Sequence, residues 1–326
     1  MEHENILSKD ISNTEEKAAL DASCKRLLAN KIILAWILKS CVKEYCDCNI
    51  NDIAEKYIEG EPQIGEIAVY PNETNSEIIN GMSNEDRTLN EGTVTYDIRF
   101  MSVAPASGDH IRLIINIEAQ NDFYPGYPLM KRVIYYCSRM VSAQYGTEFT
   151  NFHYENIKKV YSIWICVNPP KNRENSITSY SIAENSIVGD VHEKSENYDL
   201  MTAVMICLGA ENDENYDGVL KLLEVLLSSD RLAEEKKLIL TNDFNIKMTQ
   251  KLDEEVSVMC NISKGVEAKG MEKGMEKGME KGILNSIRNL MDSMKLTAEQ
   301  AMAALRVPES EYKKYEDMLK QSNTNV

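Results

Sequence analysis

The chain has 326 residues, 43% of them hydrophobic, and a formal net charge of −16. That length and apolar content support a substantial core, enough for one large domain or two ordinary ones, and exclude a chain without a fold. The acidity argues against the sequence-independent attraction that a basic surface exerts on nucleic acid, although residues 97–170 are near neutral and leave room for a local phosphate-binding face. Eight cysteines form no CxxC pair and mostly sit inside apolar patterns, which implies a reducing cytoplasm. The longest apolar run, residues 32–38, is too short to span a bilayer, so neither membrane nor targeting segment is expected.

In chain order, residues 1–20 are polar and acidic and are expected to be disordered. Residues 18–45 have helical periodicity, with Leu27, Leu28, Ile32, Leu34, Ala35, Leu38 and Val42 as the apolar stripe. A short helix is expected at 50–58, then turn-rich text with one strand at 66–70. Over 93–103 the side chains alternate. Val94, Tyr96, Ile98 and Phe100 share one face, and Thr95, Asp97 and Arg99 share the other. After the turn-like "APASGDH", a second strand alternates Ile111, Leu113, Ile115, Ile117 and Ala119 against Arg112, Asn116, Glu118 and Gln120. The two strands predict a hairpin.

Residues 128–145 read as an amphipathic helix, with Met130, Val133, Ile134, Cys137, Met140 and Val141 at helical spacing, Pro128 near its first turn and Gly146 past its end. "VYSIWICV" (160–167) is then a near-continuous apolar strand, as a central strand covered on both faces should be. The pattern predicts an α/β fold in the order helix, hairpin, helix, strand, closing with a βαβ crossover. Residues 171–200 read as a further turn-rich β segment, and 219–227 and 231–240 as helices. "KGMEKGMEKGMEKG" (269–282) puts Met271, Met275 and Met279 on a slowly winding stripe. Its glycines cost about 1 kcal/mol each relative to alanine, so the repeat reads as a linker or an oligomerising arm. Thr297 to Gln300 form a capping box opening a short helix, and Pro308 opens another.

The hairpin register places Asp97 opposite Glu118 or Asn116, with cross-strand Cβ atoms about 4.5–5.5 Å apart. Carboxylates that close repel unless something neutralises them, and Mg²⁺, with oxygen ligands at about 2.1 Å, suits such a pair. Gln120, two residues on along the same face, would orient a water, and the Ala119 carbonyl could complete the coordination. Water on a divalent ion is acidified and positioned, which is what phosphodiester hydrolysis needs.

Asp97 followed by Glu118-Ala119-Gln120 resembles the D…(D/E)xK signature of the PD-(D/E)XK nuclease superfamily. With "EGTVTYDIRF", "INIEAQNDFYPGYPLMKRVIYYCSRM", "YENIKKVYSIWICVNPPKNRENSI" and the "KGMEKG" repeats, the chain from Ala22 onward resembles the bacterial PD-(D/E)XK nuclease family transposases, a group similar to the recombination-promoting nucleases (Rpn). The resemblance implies a restriction-endonuclease-like core of helix, three-stranded meander, crossover helix and returning strand, with a helical C-terminal extension. It divides the chain into a disordered start (1–20), a nuclease-like domain (21–210), a helical extension (211–263), the repeat (264–284) and a two-helix tail (285–326).

It further implies a DNA endonuclease of mobile-element type using Mg²⁺ or Mn²⁺, to which the repeat adds the expectation of a homo-oligomer. Asp97 and Glu118 would be the metal ligands, Gln120 would stand where the superfamily has lysine, and Glu44 would be the glutamate many relatives take from the first helix. Gln is uncharged and no general base, so a non-catalytic DNA-binding or assembly protein is the alternative. Arg132, Tyr136 and Arg139 share the flank of the crossover helix and are the candidate phosphate contacts. His110 and His153 stand alone in loop-like text, and Cys46 and Cys48 lack the partners a zinc site needs.

Overall fold

The computed structural model describes residues 18–64, 85–88, 92–105, 110–209, 217–228 and 231–323. The expectations of disorder over 1–17, a strand at 66–70 and the tip of the hairpin turn lie outside those residues. The chain divides into two compact units, Met1–Ser263 and Lys264–Val326.

The single helix expected over 18–45 is two, α1 (18–28) and α2 (Lys31–Cys41). Asn30 makes the break: its side-chain oxygen accepts from the Ile32 amide at 3.1 Å, capping α2 where a continuous helix would have run on. α1 thus includes residues 18–20, inside the segment expected to lack structure. A short turn, α3 (Ile50–Asp52), continues as a π-helical turn to Tyr57.

The strands are β1 (Gln63–Ile64), β2 (Glu85–Thr88), β3 (Gly92–Thr95), β4 (Ile98–Pro105), β5 (His110–Asp122), β6 (Lys159–Asn168), β7 (Ser176–Ser181) and β8 (Met201–Cys207). Six form one mixed sheet in the order β1-β4-β5-β6-β8-β7, while β2 and β3 pair separately. β4 and β5 are the expected hairpin, with Ile98 opposite Ile117 and Arg99 opposite Asn116. β5 connects through α4 (Leu129–Ser142) to β6, which lies parallel beside it, as the crossover required. β8 is parallel to β6, and β7 is an antiparallel edge.

One face of the sheet carries Ile98, Phe100, Leu113, Ile115, Ile117, Tyr161, Ile163 and Ile165 into a core shared with α1, α2, α5 (Gly218–Leu227), α6 (Ala233–Asn242) and the start of α7 (Gln250–Met294). The helices expected as an extension therefore complete the main core. The opposite face packs Ile114, Val160, Trp164 and Cys166 under α4. There the buried stripe is Leu129, Val133, Tyr136, Cys137 and Met140, while Ile134, expected inside, is 52% exposed.

One alternation fails. Tyr96 was expected beside Ile98 and Phe100, but it packs on the α4 face, because the strand expected over 93–103 breaks between Thr95 and Ile98. That break bears on the site.

The second unit packs Leu284, Ile287, Ala301, Met302 and Tyr315 between the end of α7, α8 (Ala298–Ala304) and α9 (Tyr312–Asn323). The Thr297–Gln300 capping box is present. The repeat is helical within α7 despite its glycines, since packed turns on either side leave only propagation, not nucleation, to be met. Met271, Met275 and Met279 are all exposed. No helix among the described residues is long and apolar enough to cross a membrane.

Candidate functional site

Asp97 occupies the bend between β3 and β4, one residue beyond the last pair of the β4–β5 ladder. There the ladder is continued by side chains. The Asp97 amide donates to Glu118 Oε1 at 3.0 Å, and the Ala119 amide donates to Asp97 Oδ2 at 3.0 Å. Each carboxylate is thereby fixed by backbone of the other strand. Asn116, on the same face as Glu118, donates from Nδ2 to the same Glu118 oxygen at 3.0 Å. Its Oδ1 is fully buried and accepts from nothing among the described residues.

The neutralising charge comes from α1. Lys25 Nζ lies 2.8 Å from Asp97 Oδ1 and 2.7 Å from Asp21 Oδ2, with its side chain 8% exposed. Asp21 and Lys25 are one helical turn apart, so both reach the same point. Burial works against the Lys25 ammonium, but the Asp97 charge and its bonds to Asp21 and Asp97 outweigh it and hold Lys25 above its ordinary value. Burial raises Asp97 above the usual carboxylate range although Lys25 pulls it down. Glu118, 3% exposed, is raised well above that range, first by burial and then by the Asp97 charge. Two carboxylates thus pair with one ammonium while a third, Glu118, lies beside them, the most buried of the three and with no cation in direct contact among the described residues. Burial pushes the neighbouring Cys24 thiol up to about 12, which leaves it inert as a nucleophile.

The structure brings Asp97, Glu118 and Ala119 together as expected, and Gln120 follows on the same face, half-buried, in register with Cys166. Arg132 is close: its guanidinium lies over the rings of Tyr136 (5.0 Å) and Trp164 (5.2 Å), Trp164 being in register with Glu118, and its charge lowers the Glu118 carboxyl. It donates to the Tyr136 hydroxyl at 2.8 Å and the Tyr127 hydroxyl at 3.2 Å.

Tyr136 and Arg139 do not form the exposed flank expected of them. Both are buried, Tyr136 edge-on to Tyr96 and Trp164, and Arg139 against Tyr135. Glu44 is not part of the cluster. It lies in a 3-10 turn (Lys43–Tyr45) and accepts from the Tyr161 hydroxyl at 2.5 Å on the other face of the sheet, about 10 Å along the strands from the Glu118 level. Asp21, Lys25 and Asn116 are the residues that sequence reasoning missed. The available signal was a pair of opposite charges four residues apart, Asp21 and Lys25, flanking Cys24 and followed by Leu27 and Leu28.

No cluster of three or more His, Cys, Asp or Glu side chains that could hold a metal ion is formed among the described residues. A Mg²⁺ ion is commonly held by one or two carboxylates, the remainder being water and substrate phosphate. Asp97 and Glu118 match that chemistry: hard oxygen donors in a buried place with excess negative charge. No family model, curated protein or solved structure matches the chain.

Proposed function

We propose that this chain is a Mg²⁺- or Mn²⁺-dependent DNA endonuclease of the mobile-element or recombination type, built on a restriction-endonuclease-like core. The observation that carries the proposal is the pair of buried carboxylates, Asp97 and Glu118, locked by reciprocal side-chain-to-backbone hydrogen bonds at the end of β4 and β5. A pair whose pKa values are raised by burial, Glu118 further by the Asp97 charge and Asp97 further by Asp21, is costly to the fold, and such costs gather at functional sites. The element order also agrees: α1 and α2, the antiparallel strands β1, β4 and β5, the crossover helix α4 and the parallel strand β6.

Asp97 and Glu118 would hold the ion, with the Ala119 carbonyl beside them. When bound, the ion supplies Lewis acidity and lowers the pKa of water. Gln120 donates and accepts hydrogen bonds and so orients water or a phosphate oxygen. Arg132, fixed by two tyrosine hydroxyls, offers a planar cation to a phosphate at the mouth of the site. The exposed methionines of α7 suit self-association of the chain, and eight free cysteines suit a reducing cytoplasm.

The second reading is a DNA-binding or assembly protein without catalysis. The Lys25–Asp97 ion pair favours it, since a retired site would be neutralised in this way. A plasmid-nicking assay separates the two. Wild type should nick supercoiled DNA with Mg²⁺ or Mn²⁺, and Asp97→Ala should lose nicking by a factor of at least about 10³, some 4 kcal/mol of barrier, while still melting cooperatively. Equal nicking by both proteins, or none by wild type in either metal, overturns the endonuclease reading.

A further inference from the structure

The contact that favours the second reading also has a place in the first. Both Asp97 oxygens are occupied, Oδ2 by the Ala119 amide and Oδ1 by the Lys25 ammonium. The Ala119 bond belongs to the strand pairing and is fixed. Lys25 is different: it reaches Asp97 on a flexible four-carbon stem and has a second anion, Asp21, on its own helix at 2.7 Å. An ammonium moved off Asp97 would still be held by Asp21. It would neither be stranded in the apolar core nor drift from the site.

We propose that Lys25 is the built-in counter-ion of the Asp97–Glu118 pair, a positioning residue that neutralises Asp97 at rest and competes with a divalent cation for Asp97 Oδ1. This rests on the reading of Asp97 and Glu118 as metal ligands. It makes the affinity for the ion deliberately lower than that of a bare carboxylate pair. It also keeps one positive charge beside the site, where Gln120 contributes none. The geometry assigns Asp21 a share in this: it is the resting place for the displaced ammonium and, through it, sets how readily Asp97 is released.

The test is a calorimetric titration of MnCl₂ into the metal-free full-length chain, with thermal melts to establish that each variant is folded. Lys25→Met removes the competitor and should bind Mn²⁺ about tenfold or more tightly than wild type. Asp21→Asn removes the resting place, holds the ammonium on Asp97, and should bind severalfold more weakly. It serves as the decisive variant should Lys25→Met fail to fold. Asp97→Asn should bind no Mn²⁺. A folded Lys25→Met that binds Mn²⁺ more weakly than wild type would show a lysine that supports the ligands and does not compete with the ion, and would overturn the proposal. If wild type binds Mn²⁺ through Asp97 while Lys25→Met and Asp21→Asn both match its affinity, the counter-ion role is wrong and the ligand reading stands. If wild type and Lys25→Met are both folded and neither binds Mn²⁺, the ligand reading is itself wrong and takes this inference with it.

Discussion

Lys159 and Lys25 each join a pair of carboxylates, as Lys237 does with Glu234 and Asp253. Lys159 Nζ lies 2.6 Å from Asp199 and 3.2 Å from Glu44, and Glu44 also accepts from the Tyr161 hydroxyl. Lys25 Nζ lies 2.8 Å from Asp97 and 2.7 Å from Asp21. Both ammonium groups are nearly buried, and in a bare sequence both clusters are acids and lysines scattered over three segments. The difference is what else converges. At Lys159 the additional group is a neutral phenol that donates a hydrogen bond, and the cluster fastens the turn before α3 to β6. At Lys25 the additional group is a third carboxylate, Glu118, buried and directly paired with no cation among the described residues. The lysine bridging two acids at Lys159 acts as a structural staple, and the unbalanced buried acid beside Lys25 is the feature on which the proposed cation site rests.

Substitutions at matched positions sharpen that contrast. Gln120→Ala, which removes only a hydrogen-bonding side chain next to Glu118, should slow cleavage about 10- to 100-fold, or about 1.4–2.8 kcal/mol of barrier, with unchanged Mn²⁺ affinity. Gln120→Lys should be tolerated or mildly activating. A Gln120→Ala protein that cuts as fast as wild type would remove Gln120 from the mechanism. At the other cluster, Glu44→Gln should cost about 1–3 kcal/mol in urea unfolding, because Lys159 loses one of its two charged partners. A destabilisation near zero would mean that Glu44 is no staple.

The smallest effect is a pH trend. Glu118 is raised in the folded chain above its unfolded value of about 4.3, so the native state binds more protons than the unfolded one between those two values. Stability therefore falls as pH rises through that window and stays lowered above it. In EDTA-containing buffer, Glu118→Gln should gain melting temperature relative to wild type as the pH is raised from below 4.3 into neutrality. A difference that does not change with pH would show that Glu118 is not held in a costly ionised state.

The hairpin, the βαβ crossover and the carboxylates Asp97 and Glu118 were legible in the sequence, because strand alternation and a near-continuous apolar strand are local signals. What was missed is non-local or depends on a single break. Asn30 ends α1 by capping α2, and nothing in the apolar stripe around it announces that. Tyr96 crosses to the other face because Asp97 leaves the ladder to exchange hydrogen bonds with Glu118 and Ala119. Lys25 reaches Asp97 across a long stretch of chain, and on its own helix it reads only as half of an exposed ion pair. Tyr136 and Arg139 read as surface in the sequence, but the buried stripe of α4 runs through Leu129 and Tyr136 and leaves Ile134 outside. Glu44 sits near the end of the expected helix, where one wrong helix boundary placed it at the site.

The most direct test of the account is the nicking rate of supercoiled plasmid in Mn²⁺ for wild type, Glu118→Gln and Glu44→Gln, measured side by side on proteins of verified fold. Wild type should nick, Glu118→Gln should lose at least about 10³-fold, and Glu44→Gln should cut within about twofold of wild type despite its lower stability. Equal losses at the two positions, or nicking that survives Glu118→Gln, would contradict it.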